Sequence, residues 1–176
     1  MVEVDEEDLL ALELSEAGQR ARDIILSDFK LLSEYGAAPV LNIIHHYEAD
    51  EDPIFSTDVY SFHVDRSPIT TDTFLCTYFG DASDILPNEF AKQKIGIPEL
   101  RQKLRKDFNG NDADFEKYLS ENFYDLHYEA TSEEKAINLG IGHLWRLAVD
   151  HPNSTVLPCV HRAPKEKNGK RLLMIC

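Results

Sequence analysis

Seven histidines, His45, His46, His63, His127, His143, His151 and His161, are the residues of this chain best suited to bind a metal ion or to move a proton. His63 stands out because Val64 and Asp65 follow it. On a strand, residues two apart point to one face, so the His63 imidazole and the Asp65 carboxylate can reach one ion. That face would also carry Val59 and Ser61, enough to line a pocket. A third ligand must come from elsewhere, and His161, near the end of a later expected strand, is the best-placed candidate. Two histidines and one carboxylate leave three positions of an octahedral ion open, the facial arrangement used by non-haem iron(II) oxygenases. Arg171 follows His161 by ten residues, and the interval contains Asn168-Gly169, a strong hairpin-turn signal. Such a hairpin would set an arginine beside the distal ligand. An H-x-D pair alone is a weak signal. The weight comes from order and placement, since the pair, the late histidine and the arginine all fall on expected strands or at their ends.

The other chemically capable residues have plainer readings. His45 and His46 are adjacent on an expected strand and face opposite ways, so they cannot chelate together. His143 and His151 lack a partner at a convincing spacing. Tyr60 and Tyr78 are able to donate to a carboxylate, with core packing as the alternative, and Trp145 reads as core. Arg162 points away from its neighbour His161, towards an ion pair with a nearby carboxylate. Lys92, Lys94, Arg101, Lys103, Arg105 and Lys106 form a basic cluster that reads as a solvated helix face. No glycine-rich phosphate loop and no dinucleotide fingerprint is present.

The elements that must position these groups are mainly β. Ser15 predicts a helix N-cap, with Ala21, Ile24, Ile25, Asp28, Phe29 and Leu32 at helical spacing until Gly36-Ala37-Ala38-Pro39 ends it. The acidic residues before Ser15 read as a solvated arm. Residues 40–47, 58–65, 73–79, 144–149, 155–161 and 171–176 carry strand patterns. Residues 87–125 read as short helices starting at Pro87, Pro98 and Asn111 or Asp112, laid over one edge or mouth of the β core as a lid. Six short strands with helices at the start and in an insertion point to a sandwich or barrel-like core.

Composition narrows the function. The 176 residues suit one domain, residues 1–36 forming its helical start and 39–176 its β core. With 32 acidic and 18 basic residues the net charge is −14, which argues against nucleic acid and against anionic membranes as partners. No apolar run approaches the roughly 20 residues of a membrane span. The acidic N-terminus lacks the basic start of a signal peptide. Cys76, Cys159 and Cys176 form no even framework and read as buried, reduced thiols. The expectation is a cytoplasmic protein.

A family resemblance sharpens the metal reading. His63-Val64-Asp65, His161 and Arg171 resemble the H-x-D…H…R signature of the iron(II)- and 2-oxoglutarate-dependent dioxygenase superfamily. Residues 74–80 (FLCTYFG) with Leu86-Pro87, and residues 160–164 (VHRAP) with residues 170–173 (KRLL), are similar to segments of an uncharacterised family called domain of unknown function 1826. The resemblance covers roughly residues 40 to 176 and is faint in the insertion. It implies a double-stranded β-helix, or jelly roll, with His63, Asp65 and His161 holding Fe(II) and Arg171 pairing with the distal carboxylate of 2-oxoglutarate. Tyr78 would be a further cosubstrate contact. The implied reaction is hydroxylation of a C–H bond in a small-molecule or protein substrate that the sequence does not identify. The superfamily often has Arg-x-Ser, whereas Leu173 stands two after Arg171. The alternative is a cupin-like protein that holds another divalent metal for handling or sensing, without oxygenase activity. Oligomeric state is not legible.

Overall fold

The computed structural model describes residues 1–50, 54–165 and 169–176. The chain begins with β1 (Val2–Val4), α1 (Glu6–Ala11), α2 (Glu16–Tyr35), β2 (Val40–Ile44), β3 (Asp72–Phe79) and β4 (Asp84–Leu86). It continues through β5 (Ala91–Gln93), α3 (Pro98–Asp107), α4 (Asp112–Glu121), β6 (Tyr128–Ala130), β7 (Ile137–Asn138), β8 (Trp145–Ala148), β9 (Val160–Arg162) and β10 (Arg171–Ile175). Five strands form one sheet in the order β1-β2-β10-β3-β8, three form a second in the order β7-β4-β9, and β5-β6 make a separate pair. The named strand pairs are antiparallel.

The architecture is mixed α/β, about 34% helix and 26% strand, and not mainly β as the patterns predict. Three expected strands fall short. The first, 40–47, ends at Ile44, so His45 and His46 lie beyond it. In residues 58–65 the Asp58 carboxylate accepts from the amides of Tyr60 and Ser61, groups that a ladder would need. Only the end of that segment pairs, at His63. Residues 155–161 are likewise strand only from Val160. At the other end of the chain, the acidic arm is ordered. Asp5 and Asp8 close a reciprocal capping box on α1, and β1 pairs with β2.

Alternation along β10 explains the layers. Leu172 and Met174 face α2, where Ile25, Phe29 and Leu32 pack with Leu41. Leu173 and Ile175 face the other way, with Ile44, Leu75 and Leu147, onto Ile85, Leu139 and Cys159 of the second-sheet layer. Arg171 shares the face of Leu173. The α2 helix starts at Ser15, whose hydroxyl accepts from Gly18 N, and ends at Gly36 with φ +92°, as expected.

Pairing of the two chain halves is nested. The segment β2 pairs with β10, His63 with His161, β3 with β8 and β4 with β7. These four pairings alternate between the first and second sheets. The insertion lies between β4 and β7. Its helices α3 and α4 start at Pro98 and at the Asn111 cap as expected, while Pro87 precedes only a single 3-10 turn. Leu104, Phe115, Leu119 and Tyr124 build a small core of their own with Phe55 and Ile95. Asn168 of the expected hairpin turn lies outside the described residues. The strands on either side of it are not hydrogen-bonded neighbours, because β9 joins the second sheet and β10 the first. A hairpin is therefore not what relates Arg171 to His161. No helix among the described residues is long and apolar enough to cross a membrane.

Gly80 closes β3 at φ +89°, and a Cβ there would lie 2.5 Å from the Lys170 carbonyl and 3.0 Å from Arg171 Cα. Gly80→Ala should cost about 2–3 kcal/mol of stability, from a left-handed backbone plus a backbone clash. Urea unfolding of the two proteins measures it, and an unchanged midpoint would contradict this account of the β3–β10 junction.

Candidate metal centre

His63 and His161 are brought together by backbone. His63 N donates to His161 O and His161 N donates to His63 O, both at 2.8 Å. Directly paired residues put their side chains on one face, and the two rings lie 4.5 Å apart between centroids. Asp65, two residues after His63, turns to the same point. One ligand atom from each of His63, Asp65 and His161 lies within 4.8 Å of the others, and His161 Nε2 is 3.7 Å from Asp65 Oδ2. The sequence-predicted triad therefore converges.

Each member is oriented by a second group. His63 Nδ1 is 2.7 Å from the Ser61 carbonyl and His161 Nδ1 is 3.1 Å from the Cys159 carbonyl. A carbonyl only accepts, so Nδ1 carries the proton in both rings and the Nε2 lone pair is left for a metal. Asp65 Oδ2 accepts from the Thr73 hydroxyl at 2.6 Å. Burial, then the neighbouring His161, pushes the His63 pKa down and favours the neutral, ligating form. Cys159 sits close by, but burial and the Asp65 charge push its thiol up to about 11. It stays protonated at neutral pH, the form that does not ligate.

Arg171 is 1% exposed. Its Nη2 donates to Thr77 Oγ1 at 2.9 Å and Ser83 Oγ at 2.8 Å, and its Nη1 donates to the Tyr47 hydroxyl at 3.4 Å. Thr73 and Thr77 are on one face of β3, four residues or about 13 Å apart. One strand face thus supports Asp65 at one end and Arg171 at the other. Tyr78, expected as a cosubstrate contact, is on the opposite face of β3. Its hydroxyl donates to Asp28 of α2 at 2.7 Å, so the carboxylate it serves belongs to the protein.

The remaining candidates fall as follows. His45, His46 and His143 are exposed. Arg162 pairs with Asp84 at 3.2 Å and Glu133 at 3.1 Å, as expected. Trp145 donates to the Leu139 carbonyl and packs in the core. The basic cluster is not a free patch, because Arg101 pairs with Glu116, Arg105 with Asp112, and Lys94 donates to Ser61 Oγ.

Sequence reasoning gives no role to His127, which is buried beside the triad at 3% exposure. Its backbone pairs with His63 on the side away from His161, flanked by Val64 N to Leu126 O at 3.0 Å and Tyr128 N to Phe62 O at 2.7 Å. The apolar residues at 126, 128 and 130 alternate with His127 and Glu129, a strand signal that could have found it. Burial, with His63 and Lys94 adding to it, holds its pKa down to about 4. A cavity of about 810 Å³ opens in front of these groups, lined by His63, Asp65 and His127 among others. Ser120 and Phe123 of the insertion form part of its wall.

Comparison with protein-family models, with curated proteins and with solved structures gives no match, so the site is read from its own geometry.

Two outcomes follow from that geometry. Thr73→Val keeps the shape of the side chain and removes the donor to Asp65, so metal affinity should fall by about 10- to 100-fold with the fold intact. Competition with a chelator reads this, with His63→Ala as the reference for full loss. The second concerns pH. Unfolded His127 protonates near 6.5 and the folded residue near 4, so below 6.5 the unfolded chain binds more protons. Its contribution to the stability of the metal-free protein is complete above pH 6.5 and is lost as pH falls towards 4. Urea unfolding at pH 7 and pH 5 should show a smaller loss in His127→Phe than in the wild type.

Proposed function

We propose that this protein is an Fe(II)- and 2-oxoglutarate-dependent dioxygenase-like enzyme that hydroxylates a substrate held in the cavity beside His63 and Asp65. The observation that carries this reading is the convergence of His63, Asp65 and His161 with both imidazoles fixed as Nε2 ligands. Two nitrogens and one carboxylate oxygen suit Fe(II) and leave coordination positions for cosubstrate and dioxygen. Bound there, the iron supplies the oxidising chemistry, in which 2-oxoglutarate loses carbon dioxide and becomes succinate while one oxygen atom enters a C–H bond of the substrate. His63 and His161 hold the ion through Nε2. Asp65 contributes its carboxylate, and Thr73 keeps that carboxylate turned towards the histidines.

Arg171 is the residue we assign to the distal carboxylate of 2-oxoglutarate. The donor set fits such a group, because the guanidinium is grouped with the hydroxyls of Thr77, Ser83 and Tyr47. Leu173 replaces the serine often found two after this arginine and packs in the core. Thr77 and Ser83 bring hydroxyls from other segments.

The nested strand pairing supports a jelly-roll, or double-stranded β-helix, framework. In such a roll one long antiparallel ribbon folds over so that successive pairs alternate between two facing sheets. The pairs β2–β10, His63–His161, β3–β8 and β4–β7 follow that alternation. The triad would lie on the second pair. A cytoplasmic location is supported by three free cysteines, Cys76, Cys159 and Cys176, each with its thiol pKa raised by burial.

Anaerobic calorimetry tests the reading. Fe(II) should bind, and 2-oxoglutarate should then bind to the loaded protein. Arg171→Ala should weaken 2-oxoglutarate binding by about 100-fold, near 3 kcal/mol for a charged hydrogen-bonded contact, and leave metal affinity nearly unchanged. Arg171→Lys should restore it only in part, since a point charge lacks the planar fork. Tight zinc binding with no 2-oxoglutarate binding would replace this reading with the non-catalytic, cupin-like metal protein.

A further inference from the structure

Three histidines stand side by side on adjacent, directly paired backbone segments, and their chemistry differs. His161, His63 and His127 are directly paired in that order, so their rings share one face. The first two each meet a carbonyl at Nδ1, two residues upstream. His127 meets none. Its Nδ1 is shut away from solvent without a partner among the described residues. A neutral imidazole carries one proton, and an enclosed N–H without an acceptor is rarer and costlier than an enclosed lone pair. The proton therefore belongs on Nε2, the opposite tautomer to that of the two ligands.

We propose that His127 is not a metal ligand but an Nε2–H donor that positions the molecule occupying the cavity, by holding a neutral oxygen acceptor of an otherwise apolar ligand. That this acceptor lies beside a metal rests on the reading above. The cavity itself supplies the second observation. Several of its other polar side chains already have protein partners. Asp58 accepts from the amides of Asp50, Tyr60 and Ser61, Arg66 is held between Asp125 and Asp150, and His151 Nδ1 accepts from Asn153 N. Much of the remaining wall is apolar, including Val59, Pro68 and Phe123. The carboxylates of Asp58 and Asp150 line the same space and oppose an anionic ligand, which leaves a neutral acceptor such as a ketone, amide or hydroxyl oxygen.

Long-range ¹⁵N–¹H correlation spectra of the full chain, metal-free and loaded with Zn(II), read each tautomer directly. His127 should be the Nε2–H form in both states. His63 and His161 should be Nδ1–H, with Nε2 shifted by zinc. An Nδ1–H form of His127, or a zinc-shifted His127 nitrogen, overturns the proposal. If zinc moves neither His63 nor His161, the metal reading fails while the metal-free spectrum still decides the state of His127. Binding gives an independent check with two probes of similar apolar body, cyclohexanone and methylenecyclohexane, only the first of which has an acceptor oxygen. The wild type should bind the ketone about tenfold more tightly. His127→Phe should erase that preference and leave Zn(II) affinity within about threefold. Equal binding of the two probes by the wild type overturns the donor role, a result that needs no variant to fold.

Discussion

The reciprocal pair of backbone hydrogen bonds between His63 and His161 is the constraint on which the site depends. It joins two residues 98 positions apart in sequence and fixes the relative height of their side chains. A slip of one residue in this pairing would turn one imidazole to the opposite face of the sheet and destroy convergence. The pairing is short, and it is secured by neighbours. On one side β9 is bonded to β4, with Ile85 opposite His161. On the other, residues 62–64 are bonded to 126–128. Phe62, Val64, Leu86, Leu126 and Val160 pack together on the face away from the histidines. The hydrophobic face sets the register, and the register sets the convergence of His63 and His161.

The same logic connects the triad to Arg171 without a hairpin. Strand β3 carries Thr73, Leu75 and Thr77 on one face. The outer two hold Asp65 and Arg171 through hydroxyls, and Leu75 between them packs in the inter-sheet core. A fully buried guanidinium needs hydrogen-bond partners, and here hydroxyls from β3, Ser83 and Tyr47 converge on it. Gly80 makes this possible by letting the chain leave β3 in direct contact with the backbone of Lys170 and Arg171.

What was legible in the sequence was local chemistry at short range. The H-x-D spacing, the Ser15 cap, the Gly36 stop and the strand patterns at 40–47, 73–79 and 171–176, which form strands at 40–44, 72–79 and 171–175, all follow from rules of period two, period 3.6 and capping. The strand pattern of 58–65 fails over its first residues, since alternation alone does not show that Asp58 captures the amides of its own turn. Tyr78 was misplaced because two-fold alternation leaves open which face of β3 meets α2. Arg171 was assigned a hairpin partner from a turn signal, yet strands joined by a short connection can enter different sheets. His127 was missed because its partner is His63, 64 positions away, and no motif spans that distance.

The position of His127 also accounts for a strained residue. Phe123 is the non-glycine residue with positive φ among those described, at φ 61° and ψ 9°. A left-handed conformation costs such a residue roughly 1–2 kcal/mol. It lies between two anchored parts. Upstream, α4 is fixed by Phe115 and Leu119 in the insertion core. Downstream, Leu126 and Tyr128 are bonded to the His63 segment. The chain must reverse within the few residues between, and the left-handed step at Phe123 does so while Tyr124 returns to the insertion core and Leu126 to the core beneath the histidines. Phe123 itself remains largely exposed and lines the cavity. The strain is therefore sustained by packing on both sides, and it places an aromatic ring at the cavity wall and His127 beside His63 in a single turn.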